Sequence, residues 1–154
     1  MYEKILVPTD GSDTAENAVE HALDIAEKYG AEVHALYVVD VDSMSLSLGA
    51  EQVDRLQQGQ FDEMEEVKSK AEEATGYVAD AARVHGLEAV EHIAGGQPHR
   101  VVAEYAEDHD IDLVVMGSHG RSGVKRALLG SVTERTLRST DVPVLVVDVR
   151  EEED

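Results

Sequence analysis

Five short apolar runs, interleaved with stretches of helical periodicity, constrain this chain more than any other feature. The first, Lys4-Ile5-Leu6-Val7-Pro8, is ended by Pro8 and the turn-like Thr9-Asp10-Gly11-Ser12. Ala15, Ala18, Val19, Ala22, Ile25, Ala26 and Tyr29 follow at helical spacing, with Asp13 and Glu16 as a start signal and Gly30 as the stop. Residues 32–39 read as a buried strand, and residues 40–60 lose periodicity and read as a loop. A strong helical pattern then covers residues 61–85, where Met64, Val67, Ala71, Ala74, Val78, Ala81 and His85 fall alternately three and four apart and Gly86 ends the run. This stripe fits a helix packed on a sheet better than a coiled coil, because it is short and its core positions are small. Residues 87–94 form a weaker strand, Pro98 opens a helix reaching about Asp108, and residues 112–116 and 144–149 complete the strands.

The order β-α-β-α-β-α-β-α-β follows. Alternating strands and helices with continuous apolar strand runs indicate an α/β protein whose parallel sheet is covered on both faces. Right-handed crossovers favour a doubly wound sheet. At 154 residues the chain is expected to form one domain, residues 1–150, with an acidic tail at 151–154.

A glycine-rich loop stands directly in front of a helix start in residues 116–138. Gly117, Gly120, Gly123 and Gly130 are separated by polar and basic residues, and Ser131-Val132-Thr133-Glu134 reads as a capping box. A helix N-terminus offers unpaired N–H groups and the positive end of a dipole, so it is a natural seat for phosphate. Between Gly117 and Arg138 there are five basic residues and one acidic, a net of +4; the rest of the chain carries 8 basic and 32 acidic residues, a net of −24. Positive charge concentrated beside a glycine loop points to an anionic ligand.

The overall charge of −20 argues against a nucleic-acid partner. Its even spread resembles that of halophilic proteins, in which salt screens self-repulsion. No apolar run approaches the roughly 20 residues that cross a bilayer, so no membrane association is expected. With acidic and basic residues before its first short apolar run, the N-terminus does not read as a secretory leader, and a cytoplasmic location is the expectation. There are no cysteines, which excludes disulfides, thiolate metal sites and cysteine nucleophiles.

In an open α/β sheet, ligands bind outside the carboxyl ends of the strands where the winding reverses. Pro8-Thr9-Asp10 ends the first strand and Met116-Gly117-Ser118-His119-Gly120 ends the fourth; in a strand order 3-2-1-4-5 these ends are neighbours. A carboxylate at Asp10 suits ribose hydroxyls or a base edge, and suits equally an N-cap or Asx turn.

The spacing Gly117-x2-Gly120-x9-Gly130-Ser131 resembles the nucleotide loop of the universal stress protein family. The likeness extends to ILVPTDGS at the first strand, YVVD at the second, Gly96-Gln97-Pro98, DLVVMGSHGRSG and the closing VPVLVV. It implies a Rossmann-like five-stranded sheet in the order 3-2-1-4-5, and a stress-response homodimer paired through the last strand. It also implies binding of ATP, or ADP or AMP, with any Mg²⁺ held mainly by the phosphates. Asp10 and the backbone near Val38 would contact adenine or ribose, with Pro8 and Thr9 shaping that wall. Met116 and Gly117 would flank the sugar and first phosphate. Ser118, Gly120, Gly130, Ser131, Val132 and Thr133 would hold the phosphates.

His119 reads as a loop residue near the phosphates rather than a metal ligand, since no second ligand stands at suitable spacing. Arg121, Lys125 and Arg126 are candidates to neutralise a triphosphate, or solvated loop charges. Val144, Val146 and Val149 on an exposed edge call for a covering partner, which self-pairing supplies. The competing class is a slow ATP hydrolase or phosphotransferase of the same fold. A P-loop would need GxxxxGK[ST], which is absent, and Asp40 and Asp42 alone are weak candidates for metal or water.

Overall fold

The computed structural model describes residues 1–40, 65–119 and 129–148. Strands and helices alternate strictly along them: β1 (Lys4–Pro8), α1 (Asp13–Tyr29), β2 (Glu32–Asp40), α2 (Glu65–Val84), β3 (Ala89–Gly96), α3 (Pro98–Asp108), β4 (Leu113–Gly117), α4 (Ser131–Ser139) and β5 (Val144–Val147). The strands form one parallel sheet in the order β3-β2-β1-β4-β5. The winding therefore reverses between β1 and β4, as the doubly wound expectation requires.

Side chains alternate across the sheet and divide the core in two. Ile5, Val7, Val33, Ala35 and Val115 face α1 and α2, which meet them with Ala18, Val19, Ala22, Val78 and Ala82. Leu6, Leu36, Val114 and Met116 face the other way, against Val102, Tyr105 and Ala106 of α3. Alanines on α1 and α2 let the helices lie close to the sheet, while the branched strand residues supply the buried area. A fully buried leucine such as Leu6 contributes about 1.5–3 kcal/mol of transfer free energy.

Several element ends differ from expectation, each for a local reason. Ser12, not Asp13, caps α1: the Asp10 carboxylate accepts the Ser12 N–H (2.9 Å), and the extended Ser12 then accepts from the Ala15 N–H (3.2 Å). Gly30 ends α1 in the left-handed region, φ 65°, as expected. The capping box at Ser131 does not form. The Gly130 N–H donates to the Ser118 carbonyl (2.8 Å), which holds Gly130 extended as the N-cap and makes Ser131 the first helical residue. Strand β3 begins two residues late because the Leu87 N–H still closes the end of α2 on the Ala82 carbonyl (3.0 Å). The buried stripe of α2 ends on Ala79 and Ala82 rather than Ala81 and His85, the drift of a 3.6-residue turn against a strict heptad. Met64, Val149 and the expected loop beyond Asp40 lie outside the described residues.

Candidate functional site

A cleft of about 560 Å³ opens at the carboxyl ends of β1, β2 and β4, on the switch point. Pro8, Thr9 and Asp10 line one side and Met116, Gly117 and His119 the other. Gly130, Ser131, Val132 and Thr133 close it from α4, and Val38 comes from β2. These residues, which the sequence reading placed at one site, are thus brought together. Gly120 and Arg121, with Lys125 and Arg126, lie outside the described residues. Ser118 is the exception among those described, because it is buried behind the wall: its N–H donates to the Val147 carbonyl (2.9 Å) and its hydroxyl to Asp148.

Two glycines are needed for close approach rather than for unusual dihedrals. A Cβ at Gly117 would stand 2.8 Å from Thr14 Cγ2 and 3.2 Å from the Thr14 backbone. One at Gly130 would stand 3.0 Å from His119 Cα. Their absence lets α1, β4 and the entry to α4 meet at one point. The first intrahelical bond of α4 is donated by Glu134 to Gly130 (3.0 Å), so the amides of Ser131, Val132 and Thr133 have no intrahelical acceptor. They stand on the cleft, at the positive end of the helix. The Thr133 hydroxyl donates back to the Gly117 carbonyl (2.8 Å) and ties α4 to β4.

At Asp10 the turn that the sequence offered, an Asx turn to Ser12, forms on the wall of the cleft. Thr9 is buried, with its N–H bonded to the Leu36 carbonyl and its hydroxyl accepting from the Gly11 N–H. Val67 and Lys70, from the first turns of α2, overhang the cleft and were not singled out from the sequence. Val67 did stand on the apolar stripe; Lys70 had no signal. Among the described residues no cluster of three or more His, Asp or Glu is placed to hold a metal, and no helix is long and apolar enough to cross a membrane.

A polar chain backs the cleft. The Ser118 hydroxyl donates to Asp148 Oδ1 (2.7 Å), His119 Nδ1 lies 3.1 Å from Ser118 Oγ, and His119 Nε2 lies 3.1 Å from Thr14 Oγ1. A second network lies in the body of the sheet. Buried His34 contacts Glu32 Oε1 through Nε2 and the Tyr105 hydroxyl through Nδ1, both at 2.6 Å, and Tyr105 stacks on His109. Burial pushes His34 below the ordinary imidazole range despite the opposing effect of its hydrogen bond to the Glu32 carboxylate. Burial, with the nearby His109, lowers His92 as well, and burial followed by the Glu32 charge raises Tyr105.

The model of the universal stress protein family matches residues 1–148. Universal stress protein MJ0531 of Methanocaldococcus jannaschii is 40% identical over 148 residues, covering 96% of this chain and 82% of that one. The solved structure of MJ0577, from the same organism, superposes with a TM-score of 0.79 at 31% identity and covers 99% of both chains. A universal stress protein solved in complex with cAMP superposes with a TM-score of 0.64 at 25% identity, over 96% of this chain and 97% of that one. With the family model spanning both strand-end segments of the cleft, this chain belongs to the universal stress protein family.

Proposed function

We propose that the cleft binds an adenine nucleotide, ATP or one of its products, and that the protein acts as a cytoplasmic stress-response homodimer. The observation that carries this reading is the meeting, in one cleft of nucleotide-sized volume, of the Asp10 carboxylate and the first-turn amides of α4. Asp10 would accept from ribose hydroxyls. The amides of Ser131, Val132 and Thr133 would take phosphate oxygens, and the apolar flank around Pro8, Val38 and Met116 would take the base. The cAMP complex of a relative supports the same ligand class. Pairing through β5 is supported by its place as an outer strand, bonded to β4 on one side. Velocity sedimentation at the size of a monomer would remove the dimer.

Titration calorimetry with ATP tests the site. Saturable binding is expected, and Asp10→Ala should weaken it by about tenfold to a hundredfold, since a hydrogen bond to a charged group is worth about 1.5–3 kcal/mol. An Asp10→Ala variant with unchanged affinity returns Asp10 to its turn. Wild-type protein that shows no binding heat, and releases no nucleotide to a mass spectrometer when freshly purified, overturns the reading. The acidic surface fits a high-salt setting, and equal thermal stability at low and molar KCl would remove that part.

A further inference from the structure

We propose that Asp148, just past the outer strand β5, is a positioning residue for the nucleotide cleft: through Ser118 it holds His119 as the Nδ1–H tautomer against Thr14. This deepens the nucleotide reading and rests on it for the affinity effect alone. An ionised carboxylate only accepts, so the one Ser118 hydroxyl proton goes to Asp148 Oδ1, 2.7 Å away. Ser118 is 4% exposed and has its N–H bonded to Val147, so its hydroxyl has little freedom to turn elsewhere. With that proton committed, the 3.1 Å contact to His119 requires the imidazole to donate from Nδ1. The neutral ring then carries a lone pair on Nε2, and the Thr14 hydroxyl donates to it across 3.1 Å. One charged end thus sets the direction of the whole chain of bonds.

The chain matters for the cleft because its last links stand on it. His119 lines the cleft, and its Cα packs so closely on Gly130, the N-cap of the phosphate-facing helix, that a Cβ there would be 3.0 Å away. Thr14 packs against Gly117 in the same way. Without Asp148 the Ser118 hydroxyl is released to donate to His119 Nδ1. The ring then takes the other tautomer, and the bond to Thr14 must reverse or break. The phosphate end of the cleft would lose its fixed wall.

The test reads the tautomer directly. In protein labelled with ¹⁵N-histidine at about pH 8, where an ordinary imidazole is neutral, the His119 signals are identified by their loss in His119→Gln. The wild type should show a protonated Nδ1. Asp148→Ala should shift His119 toward protonated Nε2 and weaken ATP binding by about threefold to tenfold, the worth of one hydrogen bond. Asp148→Asn, whose amide oxygen can still accept from Ser118, should keep both the tautomer and the affinity. Ser118→Ala, which removes the middle link, should behave as Asp148→Ala. An unchanged Nδ1–H population in Asp148→Ala overturns the proposal, as does an Asn variant as weak as the Ala variant. So does an affinity loss that tracks a change in oligomeric state with the tautomer intact. If the wild type binds no ATP yet its tautomer responds as expected, the nucleotide reading falls and the positioning role stands.

Discussion

His34 and His119 are both held at both ring nitrogens, yet they carry the proton on opposite ones. In each case an acidic neighbour decides. Glu32 accepts from His34 at Nε2, leaving Nδ1 to accept from the Tyr105 hydroxyl. Asp148, relayed by Ser118, draws the His119 proton to Nδ1 and leaves Nε2 to Thr14. The difference lies in what surrounds the pair. His34 is 4% exposed in the body of the sheet, where its bond to Tyr105 holds β2 to α3 and its bond to Glu32 stays within β2. His119 is half-buried at the sheet's end, where its bonds hold a cleft wall. The same chemistry therefore ties a strand to a helix in one place and shapes a cleft wall in the other, and substitutions can pull the two apart.

The largest effect is expected at the cleft end, from Gly117→Val. The new side chain would collide with Thr14, and the contact at 3.2 Å is to backbone, so the start of α1 must move. Overpacking of this kind costs about 1–3 kcal/mol. Moving Thr14 also removes the Nε2 partner of His119, so ATP affinity should fall by more than about tenfold. Urea melts and calorimetry check both halves. A variant with native stability and affinity would show that α1 and β4 have slack, and the comparison with His34 would lose its rigid member.

Much of this arrangement was legible in the residues. Apolar runs placed the strands, Gly30 and Pro98 marked a helix end and a helix start, and glycines and turn residues at strand ends marked both walls of the cleft. Strand order was reached through resemblance and agrees with the observed sheet. The relay was not legible, for a physical reason. Thr14 lies 105 residues from His119 and Asp148 lies 30 from Ser118, so no local pattern records that they meet. The phosphate role of Ser118 came from the resemblance alone; its pairing with Val147 depends on β5, far along the chain, and left no local signal. The capping box failed by one residue, because the long-range bond from the Gly130 N–H to Ser118 holds Gly130 extended at the N-cap, one position ahead of Ser131.

A smaller, opposite effect is expected from Tyr105→Phe. It removes the donor to His34 Nδ1 and leaves a buried acceptor unpaired, at a cost of about 1–3 kcal/mol in stability. Ring stacking on His109 and the packing of α3 are kept, so ATP affinity should stay within about twofold of wild type, a difference of under 0.5 kcal/mol. Loss of affinity comparable to that of Gly117→Val would mean that the two networks are coupled through the sheet, and the separation drawn between them would fail.

The smallest effect is a change of slope. His34 and His92 are both lowered from the ordinary value of 6.5 by burial. As pH falls below 6.5 the unfolded chain therefore takes up protons at these positions before the folded one does. Their contribution to stability is full above 6.5, declines as pH drops toward the lowered native values, and falls no further once those are passed. Lower pH also relieves the repulsion among 33 acidic side chains, a gain that would mask the decline in the wild type alone. His34→Gln shares that gain and lacks the titrating ring. It should be less stable than wild type at about pH 8, where hydrogen bonds alone are lost, and the gap should narrow by about pH 5. Urea midpoints across that range measure the gap. A gap that stays constant with pH would mean that His34 binds its proton equally in both states, and burial of its ring would carry no pH-dependent cost.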